Sequence, residues 1–141
     1  MDYHAAFQIS AAGMATEKLR LDVTALNLAN MHAAAPSPDQ VYRPQRVITQ
    51  APAAGFGTQF ARMAGPGGVR TAVVPQDAAP RMVYEPGHPY ANAQGMVAYP
   101  GVDHVAEMVN LNTALRAYEA NVTAMNAART MAARALDIGG Q

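Results

Sequence analysis

The chain has no cysteine, which excludes disulfides and thiolate chemistry. That absence suits an extracytoplasmic protein that avoids disulfide exchange, and equally a cytosolic one. Aromatic residues are scarce, 6% of a chain whose hydrophobic fraction is 50%. Alanine makes up much of the difference. Each alanine buries little area, and burial is worth roughly 25 cal/mol per Å². An alanine-rich stripe is therefore a weak core within one molecule. Its use is to let helix backbones come close to their neighbours. There is no excess of either charge: ten Lys and Arg balance ten Asp and Glu. The basic residues are scattered, so no nucleic-acid footprint arises. A net charge near zero favours self-association. No apolar run approaches the ~20 residues of a membrane span. The opening MDYHAAFQIS lacks a basic segment followed by an apolar one, so a standard secretory signal is not expected there.

The longest uninterrupted pattern lies at the other end, from Val102 to Leu136. It holds no proline or glycine and is rich in strong helix formers. Pro100-Gly101 breaks the chain before it, Asp103 is a natural N-cap, and Gly139-Gly140 can end it. Met108, Leu111, Leu115, Tyr118, Val122, Met125, Ala132 and Leu136 recur at alternating spacings of three and four, with Arg129 the polar exception. Such a helix is roughly 50 Å long, too long for a small compact domain to cover.

A second helix is expected from about His4 to Met31. Ala5, Ile9, Ala12, Thr16, Leu19, Val23, Leu26 and Asn30 carry the spacing of a coiled-coil seam. Gly13 lies inside it, a position that permits close approach of another helix or is simply tolerated. Pro36 and Pro38 stop this helix. Between the helices the pattern predicts a strand over Val41–Gln50, weakened by Pro44, then strands over Val69–Val74, Arg81–Tyr84 and Met96–Tyr99. Residues 51–68 read as a flexible loop, and Gly65-Pro66-Gly67-Gly68 lacks the Lys-Ser/Thr of a phosphate-binding loop. The expected fold is mainly α with a small β insert. Long N- and C-terminal helices pack as an antiparallel coiled-coil pair. The segments are 1–31, a β-rich insert over 32–101, and 102–141. A two-helix pair leaves apolar surface uncovered, so helices of other molecules are expected to complete it.

No catalytic constellation emerges. His4, His32, His88 and His104 have no metal-ligand spacing, although His4 and His104 could meet if helix termini came together. Ser10 and Ser37 lack a nucleophile-elbow context. Glu107 suits an ion pair with Arg20, Lys18 or a neighbouring molecule. Met108, Met125 and Met131 read as packing residues rather than a ligand groove. Asn27, Asn30, Asn110 and Asn121 sit in or beside the stripes, as ordinary polar positions or as register-setting ones. On the register reading, alanine at Asn30 or Asn121 impairs assembly while leaving secretion intact.

The helices also carry motifs. Ser10-Ala11-Ala12-Gly13-Met14, Leu19, Leu21, Val23 and Leu26-Asn27-Leu28-Ala29-Asn30, followed by Tyr42-Arg43-Pro44 and Val47, resemble the N-terminal signature of the flagellar basal-body rod and hook family. Val102-Asp103, Glu107-Met108-Val109-Asn110 and Arg116-Ala117-Tyr118-Glu119-Ala120-Asn121 resemble its C-terminal signature. Val83-Tyr84-Glu85-Pro86-Gly87-His88-Pro89, Gly95 and Tyr99-Pro100-Gly101-Val102 are most similar to a proximal rod subunit of that family. The similarity covers nearly the whole chain except 51–68. It implies a non-enzymatic structural subunit, without cofactor or small-molecule substrate. Such a subunit stacks helically into the hollow rod that crosses the periplasm, transmits torque and encloses the export channel. The implied partners are copies of itself, other proximal and distal rod proteins, the membrane (MS) ring with its rod adaptor, and the flagellar type III export apparatus. The residues expected at assembly contacts are Leu19, Val23, Leu26, Asn27 and Asn30 on the first helix. On the last they are Glu107, Met108, Leu111, Leu115, Tyr118, Asn121, Val122 and Met125. The rival is a cytosolic coiled-coil adaptor or export chaperone. Fractionation separates the two, since a rod subunit accompanies basal bodies and a chaperone stays soluble.

Overall fold

The computed structural model describes residues 3–50 and 70–139; the loop expected over 51–68 lies outside the described residues. Helix α1 spans Tyr3–Asn30 and helix α2 spans His104–Gly139. Four strands lie between them: β1 Gln45–Gln50, β2 Arg70–Pro75, β3 Arg81–Tyr84 and β4 Met96–Tyr99. The fold is thus mainly helical with a small β element, and the two long helices pack antiparallel.

Both helix boundaries follow local chemistry. Asp103 caps α2: its Oδ1 accepts from the N–H groups of Val105 (2.9 Å) and Ala106 (3.2 Å). At the end of α1 the prolines take over, and a 3-10 turn over Pro38–Gln40 leads to the first strand. That strand begins at Gln45 rather than at the expected Val41. Pro44 has no N–H to give to a ladder, but its carbonyl still accepts from Gln76 N–H at 2.7 Å.

The strands form two separate antiparallel pairs, β1–β2 and β3–β4, not one small sheet. The reason is that each pair is anchored elsewhere. β1–β2 rests on α1, with Thr16 Oγ1 3.2 Å from Thr71 Oγ1 and Arg20 Nη2 donating to Thr49 Oγ1 at 3.3 Å. β3–β4 is held by the segment after α1, where Ala35 N–H donates to the Ala98 carbonyl (3.1 Å). Ala35, Val41 and Ala98 are buried together there, and Val97 and Pro100 are fully buried. The β3–β4 turn is organised by Asn92, whose Oδ1 accepts from Gln94 and Met96 N–H, both at 2.9 Å. Gly95 in that turn has φ +74°, a conformation that favours glycine. Tyr99 OH donates to Glu85 Oε2 at 3.0 Å, and the Arg81 guanidinium stacks 5.8 Å from the Tyr99 ring centre.

Candidate assembly surfaces

Each helix carries a row of covered positions, and both rows repeat by four and three. On α1 the row is Ala6, Ser10, Gly13, Glu17, Arg20, Thr24 and Asn27, with Val23 buried beside it. On α2 they are Glu107, Leu111, Ala114, Tyr118, Asn121, Met125, Ala128 and Ala132. The contact point that fixes their level is Gly13 against Asn121: a Cβ at residue 13 would lie 2.6 Å from Asn121 Oδ1. Asn121 is held in place, since its Nδ2 donates to the Ala117 carbonyl at 2.9 Å. Small residues thus set the closeness of the pair.

The seams differ from those the apolar spacing predicts. On α1 the expected seam is covered only in part: Val23 is buried and Ala5, Thr16, Leu19 and Asn30 are half-covered, but Ile9 is 72% and Leu26 51% exposed. On α2 the structure shares Leu111, Tyr118, Met125 and Ala132 with the expectation. Glu107, Ala114 and Ala128 are covered in place of the exposed Met108, Leu115 and Arg129, and Asn121 is half-covered alongside the expected Val122. Leu115 is left 45% and Leu136 77% exposed. Large side chains dominate the predicted stripe, whereas the covered rows place small Ser10, Gly13, Ala114 and Ala128 among larger Leu111, Tyr118 and Met125.

The residues expected at assembly contacts therefore fall into three environments. Val23 and Asn27 are buried inside the single chain. Leu111, Tyr118, Asn121, Val122 and Met125, with Leu19, Asn30 and Glu107, are half-covered. Leu26, Met108 and Leu115 are exposed. Asn30 Nδ2 donates within its own helix, to the Leu26 carbonyl at 2.8 Å.

Asn27 has the most specific role. At 1% exposure it donates from Nδ2 to the Gln45 carbonyl (2.8 Å). Its Oδ1 accepts from Gln45 N–H (2.9 Å) and from the Tyr42 hydroxyl (2.9 Å). It fastens the start of β1 to α1. The sequence singled out Asn27 and Tyr42-Arg43-Pro44 separately; no spacing rule couples them. Burial, and next the negative charge of Glu107, raise the pKa of Tyr42 above the usual tyrosine value.

A cleft of about 360 Å³ opens between α1, the start of β1 and the first turns of α2. Its lining is mixed in charge and includes Arg20, Arg46, Asp103 and Glu107. Arg20 does not pair with Glu107: its Nη1 bonds Glu17 Oε1 at 3.1 Å on the same helix. Lys18 is exposed on the outer side of α1. His4 and His104 do not meet, because antiparallel packing sets the start of α2 beside the end of α1. Among the described residues no cluster of His, Asp and Glu could hold a metal ion, and no helix is long and apolar enough to cross a membrane.

Comparison with known proteins fits this layout. Residues 93–138 match the family model described as flagellar basal body rod FlgEFG protein C-terminal. The flagellar basal-body rod protein FlgC of Salmonella typhimurium is 40% identical over 135 residues, covering 94% of this chain and 95% of its own. The protein of that name from Bacillus subtilis is 39% identical, covering 93% and 94%. That from Borreliella burgdorferi is 32% identical, covering 98% of both. The chain belongs to the FlgC family of flagellar basal-body rod proteins. The FlgC match spans the described strands as well as the helices, so the clamp at Asn27 and the two strand pairs lie within the matched length. The family-model match, by contrast, covers β4 and nearly all of α2.

Proposed function

We propose that this chain is a structural, non-enzymatic subunit of the flagellar basal-body rod, in its proximal part. It assembles helically into the hollow shaft that transmits torque and encloses the export channel. The observation that carries this reading is similarity to FlgC proteins over nearly the full length of both chains. The exposed apolar residues on both helices support it, because a monomer gains nothing from leaving Leu26, Met108 and Leu115 in water. Segments 1–31 and 102–141 form the helical wall, and 32–101 lies outside it and contacts lateral neighbours. Contacts between subunits use Leu19, Leu26, Asn30, Met108, Leu115 and Val122. Val23, Asn27 and Asn121 act by holding each subunit in the conformation that presents them. Partners are further copies, the other proximal and distal rod proteins, the membrane ring with its adaptor, and the type III export apparatus.

Fractionation tests the reading. An epitope-tagged chain is expected in detergent-extracted basal bodies, and its deletion is expected to abolish hooks. Recovery only in the soluble fraction, with hooks intact, would instead indicate an adaptor or chaperone.

A further inference from the structure

The outer faces of the two helices carry charges that form no ion pair among the described residues. On α1, Lys18 and Asp22 are exposed and lie four residues apart, among exposed Ala12, Ala15 and Leu26. On α2, Arg116 and Glu119 are exposed and lie three apart, beside exposed Met108 and Leu115. Among the described residues the one side-chain ion pair is Arg20–Glu17, so none of these four is in one. No described element packs on either face.

We propose that the outer face of α1 in one copy packs antiparallel on the outer face of α2 in a second copy, with Lys18 against Glu119 and Asp22 against Arg116. This rests on the rod reading above. Direction follows from the order of the charges. When the helices run antiparallel, setting Lys18 against Glu119 brings Asp22 to Arg116. When they run parallel, the same setting brings Asp22 to Thr123, and Arg116 meets no acid. Alanines on α1 let the backbones approach, and Leu26 meets the Met108 and Leu115 ridge. The occupant is another copy because both halves of the match are on this chain and its net charge of zero sets up no repulsion between copies. The two faces point away from each other across the helix pair. Each copy therefore offers one and receives one, and such a head-to-tail contact propagates instead of closing on itself.

The chain has a single lysine, Lys18, which makes the test direct. Basal bodies carrying this chain are treated with a zero-length carbodiimide, which joins an amine to a carboxylate in contact. The expected product runs at twice the 14.8 kDa chain mass and yields a Lys18–Glu119 linked peptide. In parallel, Lys18→Glu and Glu119→Lys are each expected to lower incorporation at least ~5-fold through like-charge contact, and the double swap to restore it. Incorporated chain without that peptide, a Lys18 link to a different protein, or a double swap that fails to rescue overturns the contact and leaves the rod reading standing. Absence of the wild-type chain from basal bodies overturns the rod reading, and this contact with it.

Discussion

Gly13→Ala offers the sharpest test of the helix pairing, because two effects of known size oppose each other there. Within a helix, replacing glycine by alanine gains about 1 kcal/mol. Here the new methyl would sit 2.6 Å from Asn121 Oδ1 and 2.9 Å from its Cγ. The amide is tethered to the Ala117 carbonyl, so relief requires breaking that bond or parting the helices. Overpacking of this kind costs typically 1–3 kcal/mol. The net expectation is a loss of about 1 kcal/mol, a fall in Tm of roughly 3 °C for a chain of this size. The decisive measurement is the same substitution in an Asn121→Ala background. With the amide gone the methyl has room, the helix-propensity gain is left alone, and Gly13→Ala becomes stabilising by about 0.5–1 kcal/mol. Far-UV circular dichroism during urea unfolding of the four chains gives the cycle. Equal effects in both backgrounds, or a gain in both, would refute the packing of Gly13 on Asn121 and with it the level of the two helices.

Asn27→Ala leaves Gln45 N–H and the Tyr42 hydroxyl without their acceptor, and is expected to cost about 2–4 kcal/mol. Hydrogen exchange should localise the loss to β1–β2, whereas uniform loss along the chain would argue against a clamp. Asp103→Ala removes the cap of α2 and should cost about 1 kcal/mol, with faster amide exchange confined to its first turn. Tyr42 and Tyr99 both have raised pKa values, Tyr42 first by burial and Tyr99 first by its hydrogen bond to Glu85. Folding therefore favours the neutral phenol. Its contribution is complete below the unfolded pKa of about 10 and is lost as pH rises through the higher folded values. Unfolding midpoints should fall above that pH, and Glu107→Gln should lower the Tyr42 pKa in an ultraviolet titration. A Tyr42 titration unmoved by Glu107→Gln would remove Glu107 from the account.

Much of the fold was legible because it rests on local chemistry. Proline and glycine positions marked both helix boundaries, the Asp103 cap was recognisable by type, and β3 and β4 were bounded as their residues suggest. The β-insert was less legible. Pro44 delayed the first strand, and separation into two pairs depended on Thr16 meeting Thr71 and Ala35 meeting Ala98, partners far along the chain. The assembly surfaces were least legible: apolar spacing finds a stripe of large residues but cannot say which molecule covers it.

Two long helices, their caps and breakers, and a chain without cysteine chemistry or a charge bias follow from residue types and their order. Motifs at both ends were enough to indicate the family. Which positions of each helix end up covered depends on how the two backbones pack. Gly13, Ser10, Ala114 and Ala128 are weak hydrophobic signals, yet they occupy the seam because close approach of two backbones depends on small side chains. The larger residues that hydrophobicity ranks first, Ile9, Leu26, Met108 and Leu115, were thereby left facing outward.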